Sequence, residues 1–291
     1  MSVLFAGLST LDIAYAVDTY PTEDSKTQAT DQFLGAGGPA CNAAVAYAIC
    51  SGRTPTLITA LGQHQLAEIV RRDLEQHGVD VVDATPARVE QPPVSSIIVA
   101  RETQSRTIIG LDAAGITASF DPALQARITD AEAVVIDGHY PELVVGVAEC
   151  ARDAGIPVIL DAGRWKPVHD KLITLSEVVI CSQVFRPPGF SGDETAMLAH
   201  LRGLGAQHSA ITRAADSIVY SSGTQSGEVA VAAVDAVDTL GAGDIAHGAF
   251  AHYYTASGDF VNALGRAAAV ATLSCRSFGT RRWAGYLTEL S

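Results

Sequence analysis

The sequence predicts an α/β fold with a ligand site at the C-terminal ends of its strands, and three observations predict it. Strand-length apolar runs alternate with helix-length amphipathic ones, as at residues 56–61, 65–77 and 79–82. Two later runs, 133–137 and 156–161, each end on a carboxylate, Asp137 and Asp161, and open α/β sheets bind ligands at that edge. Near the far end, Asp238-Thr239-Leu240-Gly241-Ala242-Gly243-Asp244 places small residues where a helix begins. Uncovered backbone amides and the helix dipole together make such a turn an anion cradle.

Composition narrows the class. With 291 residues, 48% of them hydrophobic, the chain can bury a sizeable core in one large domain with a small appendage. A net charge of −13 excludes a nucleic-acid or anionic-membrane surface, because both need clustered Lys and Arg. The 5 cysteines form no C-x-x-C pair, and an odd count leaves one unpaired, so reduced thiols in a cytoplasmic protein without a zinc site are expected. The opening Val3-Leu4-Phe5-Ala6-Gly7-Leu8 is apolar, but no basic stretch precedes it and Asp12 interrupts it, so it reads as a strand rather than a signal peptide. No run is long enough to span a membrane.

In chain order, residues 3–9 read as a buried strand with Asp12 just past its end, either a turn residue or a polar anchor. Residues 14–17 and 27–34 are short, partly alternating segments that fit strands of a flap outside the main sheet. Gly35-Ala36-Gly37-Gly38 then leads to Pro39, well placed in the first turn of a helix that carries Asn42. Residues 94–100 and 107–111 are assigned to the same flap, with Arg106 beside the second run. After 141–154 (helix) and 156–161 (strand), residues 178–182 and 210–213 are further strands, and 245–256 and 261–274 are Ala-rich helices.

Asp244 at the rim of the anion cradle has two readings. It complements the helix N-terminus, or it takes a proton from an attacking hydroxyl, which is the reason to place a carboxylate beside a phosphate. The run Asp-Thr-Leu-Gly-Ala-Gly-Asp resembles the C-terminal signature of the ribokinase-like (PfkB) carbohydrate kinases. The Gly38 to Asn42 stretch resembles that family's Gly-Gly-x-x-x-Asn-x-Ala element. Arg106-Thr107-Ile108 resembles the corresponding run of ketohexokinase-like members.

The resemblance covers nearly the whole chain. It implies a three-layer α-β-α ribokinase-like (Rossmann-like) domain over residues 1–291, with a small β lid built from two separate segments, about 13–35 and 90–112. By the same resemblance Asp12, Gly38, Asn42 and Arg106 hold the acceptor, and Asp244 is the catalytic base. Gly241, Ala242 and Gly243 offer amides to the transferred group, while Thr212, Arg213, Thr239, Gly241 and Gly243 meet the nucleotide. ATP and Mg2+ are the implied cofactors. Ser277-Phe278-Gly279-Thr280 resembles a turn associated in some relatives with a monovalent cation such as K+, and the lid of such proteins often makes a homodimer.

Several positions depart from the pattern. Pro39 stands where many relatives have Lys or Asn, and Ser182 and Phe185 stand in the Asn-x-x-Glu element that orders magnesium. Ala214 and Ser217 replace the glycines of Thr-x-Gly-x-x-Gly. The expected activity is ATP-dependent phosphorylation of a sugar or sugar-like polyol. A nucleoside or other alcohol kinase, and a ligand-sensing scaffold descended from such kinases, are the alternatives.

Overall fold

The computed structural model describes residues 2–290. The first half of the chain runs β1 (Leu4–Ala6), β2 (Thr10–Val17), β3 (Asp31–Gly37), α1 (Pro39–Ser51), β4 (Thr56–Thr59), α2 (Gln65–Gln76), β5 (Asp80–Asp83), β6 (Val94–Ala100), β7 (Ser105–Gly110) and α3 (Gln125–Thr129). The second runs β8 (Val134–Ile136), α4 (Pro141–Asp153), β9 (Val158–Ala162), α5 (His169–Leu175), β10 (Val178–Ser182), α6 (Glu194–Gly203), β11 (His208–Arg213), β12 (Asp216–Ser222), β13 (Gln225–Val229), α7 (Ala242–Ser257) and α8 (Phe260–Ser274).

The main sheet has nine strands in the order β13-β12-β11-β10-β9-β8-β1-β4-β5. Strands β5 through β11 in that order are parallel, and β12 and β13 close one edge antiparallel. Parallel strands need crossovers, and helices on both faces bury both sides, which is why the strands read as near-continuous apolar runs. Alternation sorts neighbours into two cores. Phe5 joins Val135, Ile159 and Ile180 under α1, α2, α7 and α8, whereas Leu4 joins Ile136, Leu160 and Cys181 under α3, α4, α5 and α6. Each fully buried side chain of this kind contributes about 1.5–3 kcal/mol, so the two cores hold the strand ends in fixed register.

A second sheet, four strands in the order β3-β2-β6-β7, stands apart from the first. Its register places Asp12 between Gly35 and Ser95, and Ala14 between Phe33 and Ile97. The inner face packs Ala14, Ala16, Ile97 and Val99 on Leu240 and Phe278. Leu34, Ile13, Ser96 and Ile109 follow one another across the outer face, where Leu34 is 51% and Ile109 65% exposed.

The structure corrects the sequence reading in three places. Asp12 lies within β2, inside the small sheet, rather than just beyond β1, because the chain turns at 7–9 before the apolar run is over. The third strand of the small sheet in chain order matches its expected bounds, while β3 begins at Asp31 and continues through the glycines to Gly37. Short α3, α5 and α6 fill the back core, and no strong period announced them.

Candidate active site

The turn into α7 is built by Gly241, which caps the helix at φ 69°, ψ 5°. A Cβ there would meet Thr280 Cγ2 at 2.8 Å and Asn42 Nδ2 at 3.3 Å, and the left-handed backbone disfavours any side chain. Asp238, which opens the motif, is buried and accepts the amides of Leu240 at 2.8 Å and Gly279 at 2.9 Å, tying the turn to the segment after α8. The first-turn amides of a helix have no intrahelical acceptor. Ala242 N–H turns back to Thr239 O at a long 3.3 Å, while Gly243 is exposed. An anion could therefore be met by the Gly241, Gly243 and Asp244 amides, with Ala242 less free than the motif alone suggests. Arg106 of β7 donates to Thr239 Oγ1 at 2.5 Å, so the small sheet reaches this turn directly.

Asp244 sits half-buried in the first turn of α7, where its Oδ2 accepts from Asn42 Nδ2 at 2.8 Å. Burial, and then the nearby Asp161 carboxylate, push its pKa up to about 7, against the pull of the Asn42 amide and of His247. Asp12, 4% exposed, accepts Thr10 Oγ1 at 2.5 Å. Burial raises its pKa as well, opposed by the hydroxyls of Thr10 and Ser95 and by the charge of Arg281. Gly37 has no side chain because the Asp12 carboxylate occupies that space. Gly38, at φ 95°, caps α1 two residues before Ala40, whose amide reaches Asp137 Oδ2 at 3.3 Å. Thus Asn42 meets the Gly241–Asp244 turn, Arg106 meets Thr239 beside it, and Asp12 and Gly38 lie at the glycines that lead into α1.

A model of the pfkB family of carbohydrate kinases matches residues 2–284. The chain belongs to this family. An ATP-dependent ribose-1-phosphate kinase of Halopiger xanaduensis is 28% identical over 289 residues, which is 96% of this chain and 93% of its own. A deoxyribokinase of Salmonella typhi is 26% identical over 298 residues, 97% of this chain and 94% of its own. An Arabidopsis thaliana ribokinase solved with ribose and ATP shares the fold at TM-score 0.78 and 19% identity, over 99% of this chain and 98% of that one. The protein is a carbohydrate kinase of ribokinase-like fold.

Other residues singled out in the sequence are held by partners of their own. Arg213 is engaged elsewhere: it donates to Ser217 O at 2.5 Å and pairs with Glu194 at 3.1 Å and Glu228 at 3.3 Å. Thr212 lies at the end of β11, its hydroxyl 3.5 Å from Cys181 O. Asp137, expected to face the crevice, instead accepts the amides of Leu8 at 2.9 Å, Ala40 at 3.3 Å and His139 at 2.8 Å. Despite its burial, the charge of His139 and those donors hold its pKa below the ordinary range, which makes it a buried brace between β1, α1 and β8. Asp161 does reach the neighbourhood of Asp244, and His247 Nδ1 lies 3.5 Å from its carboxylate.

Two participants were not read from sequence at all, Asp73 and Arg281. Arg281 Nη1 donates to Asn42 Oδ1 at 3.0 Å, and Nη2 pairs with Asp73 Oδ2 at 3.0 Å. Its neighbour Arg282 is an ordinary exposed partner of Asp31. The pair Arg-Arg after a Gly-Thr turn is the only local signal, and it does not say which guanidinium points inward.

Proposed function

We propose that this kinase transfers the γ-phosphoryl group of ATP to a hydroxyl of a sugar or sugar-like polyol, with Asp244 as the base. The observation that carries the reading is the meeting of a raised-pKa carboxylate and a helix N-terminal amide cradle within one turn, Gly241 to Asp244. Asn42 occupies Oδ2 of Asp244, which leaves Oδ1 to take the acceptor's proton as its oxygen bonds to the γ-phosphorus. The bond from that phosphorus to the bridging oxygen breaks, and ADP leaves with the electron pair. Amides of the turn stabilise charge on the transferred oxygens, a kind of contact worth about 3 kcal/mol of barrier per donor. Asp12, held by Thr10 and facing Gly37, is an acceptor-only group suited to a polyol, with Gly38 backbone beside it.

The whole chain is read as one kinase domain, with the small sheet as a lid that excludes water. Arg106 on Thr239 ties that lid to the turn that carries the base. The row Leu34, Ile13, Ser96 and Ile109 on the outer face of the lid is the surface assigned to a homodimer. Thr212 and Thr239 are assigned to the nucleotide side, and Arg213 is withdrawn from it because of its two acidic partners.

Magnesium fits only as a companion of the nucleotide. Among the described residues no group of three or more His, Cys, Asp or Glu could hold a metal ion. We assign its water shell to Asp161, the carboxylate whose charge acts on Asp244, and the ion keeps most of its hydration in such sites. When bound, it would neutralise charge on the β- and γ-phosphate oxygens. A potassium ion near 277–280 belongs to the same reading, where Ser277 Oγ is buried without a partner among the described residues.

The deciding experiment is ADP release over a panel of pentoses, hexoses, sugar phosphates and nucleosides, with product regiochemistry read by phosphorus NMR. A sugar or polyol turned over well ahead of nucleosides supports the reading. A nucleoside preferred over every sugar, or binding without turnover, overturns it.

A further inference from the structure

Arg281 follows Gly279-Thr280 after α8, and its side chain is only 9% exposed. A buried guanidinium is tolerated when its donors and charge are matched. Here they go to Asn42 Oδ1 at 3.0 Å, Thr280 Oγ1 at 2.8 Å, Ala36 O at 2.6 Å and Asp73 Oδ2 at 3.0 Å. Asp73 also accepts Ala36 N–H at 3.1 Å. Strand β3, helices α1 and α2, and the C-terminal segment therefore meet at one cation.

An arginine can only donate, so the atom of Asn42 that faces it must be the carbonyl oxygen. The orientation of an amide side chain is otherwise ambiguous; here the guanidinium settles it. The NH2 group is then obliged to face Asp244, where it lies 2.8 Å from Oδ2. Without Arg281 the amide oxygen loses its donor, and only the carboxylate itself is left to hold the NH2 group in place.

We propose that Arg281 is a positioning residue for phosphoryl transfer: by holding Asn42 Oδ1 it keeps the Asn42 NH2 donated to Asp244, fixing one carboxylate oxygen and freeing the other for the acceptor. The inference rests on the assignment of Asp244 as the base. The other groups facing Asp244 are Asp161 at the end of β9, Asp12 of β2, and His247 on α7 itself. Both carboxylates oppose its ionisation, and His247 and the Asn42 amide favour it. Arg281 is itself paired with Asp73, so its influence reaches Asp244 through the amide.

The test compares turnover between pH 5 and 9 for the wild type, Arg281→Met, Arg281→Lys and the double variant Arg281→Met/Asp73→Asn, which leaves no orphaned carboxylate and protects the fold. Arg281→Met and the double variant should lose turnover by about 10- to 100-fold. Their acid limb should move up by about one pH unit, with the KM for ATP little changed. Arg281→Lys, which can still donate to Asn42, should lie between them and the wild type. A merely structural role lowers the active fraction and leaves the limb where it was, and that result overturns the proposal. If the wild type itself shows no acid limb or no turnover, the assignment of Asp244 fails instead. The proposal is then decided by unfolding: the stability difference between Asp244 and Asp244→Asn proteins must move to higher pH when Arg281→Met is added, and an unmoved difference overturns it.

Discussion

Replacing Asp244 by Asn probes the electrostatics of the cleft with no substrate present. The folded protein holds the proton on Asp244 more tightly than the unfolded chain, since its pKa is raised from 3.8 to about 7. Stability from this group is therefore complete below the unfolded value and is lost as pH rises toward the folded one. Each tenfold difference in proton affinity is about 1.4 kcal/mol, so the loss saturates near roughly 4 kcal/mol above pH 8 and is about 2 kcal/mol at pH 5. Asp244→Asn keeps an acceptor for the Asn42 amide at 2.8 Å but has nothing to ionise. Its stability relative to wild type should rise by about 2–3 kcal/mol between pH 5 and pH 8. Urea unfolding of both proteins at four pH values across that range reads the difference directly, and most other titrations cancel. A difference that stays flat within about 0.5 kcal/mol, or shrinks as pH rises, would refute the claim that burial and Asp161 strain this carboxylate.

Three further outcomes are expected. In the wild type, kcat/KM for the acceptor should fall tenfold per pH unit below an apparent pKa near 7, because as the proposed base Asp244 must be ionised to accept the proton; a profile flat from pH 5 to 8 speaks against it. Gly241→Ala forces a side chain into a left-handed position 2.8 Å from Thr280 Cγ2. It should cost about 1–2 kcal/mol of stability and about 100-fold in turnover, both measurable on the purified variant. Ile109→Glu, at a site 65% exposed on the outer face of the small sheet, should halve the mass seen by light scattering without harming unfolding stability; a wild type that is already monomeric ends the dimer assignment.

The sequence disclosed the scaffold better than the site. Residues 94–100 and the helices around Asn42 and Asp244 follow from local pattern, since strand alternation, a proline in a first turn and a glycine cap are short-range signals. The placement of Asp12 was less legible because the apolar run through β1 continues into β2, and nothing in its periodicity marks the turn between the sheets. Asp137 and Asp161 look alike in sequence, each ending a strand. Only packing shows that the first braces three backbone amides while the second lies beside His247 and close enough to Asp244 to raise its pKa. Arg281 was hidden for the same reason, as its partners Asn42 and Asp73 are 239 and 208 residues away in the chain. Arg213 carries the opposite lesson: its position suggested nucleotide, and its ion pairs with glutamates on α6 and β13 could not be read from the chain.

Asp244→Asn turnover, measured beside ATP affinity on the same preparation, tests the central claim most directly. The account predicts that kcat with the best acceptor falls by about 10³-fold or more while the Kd for ATP stays within about threefold. A variant that phosphorylates its acceptor within tenfold of the wild-type rate would contradict it.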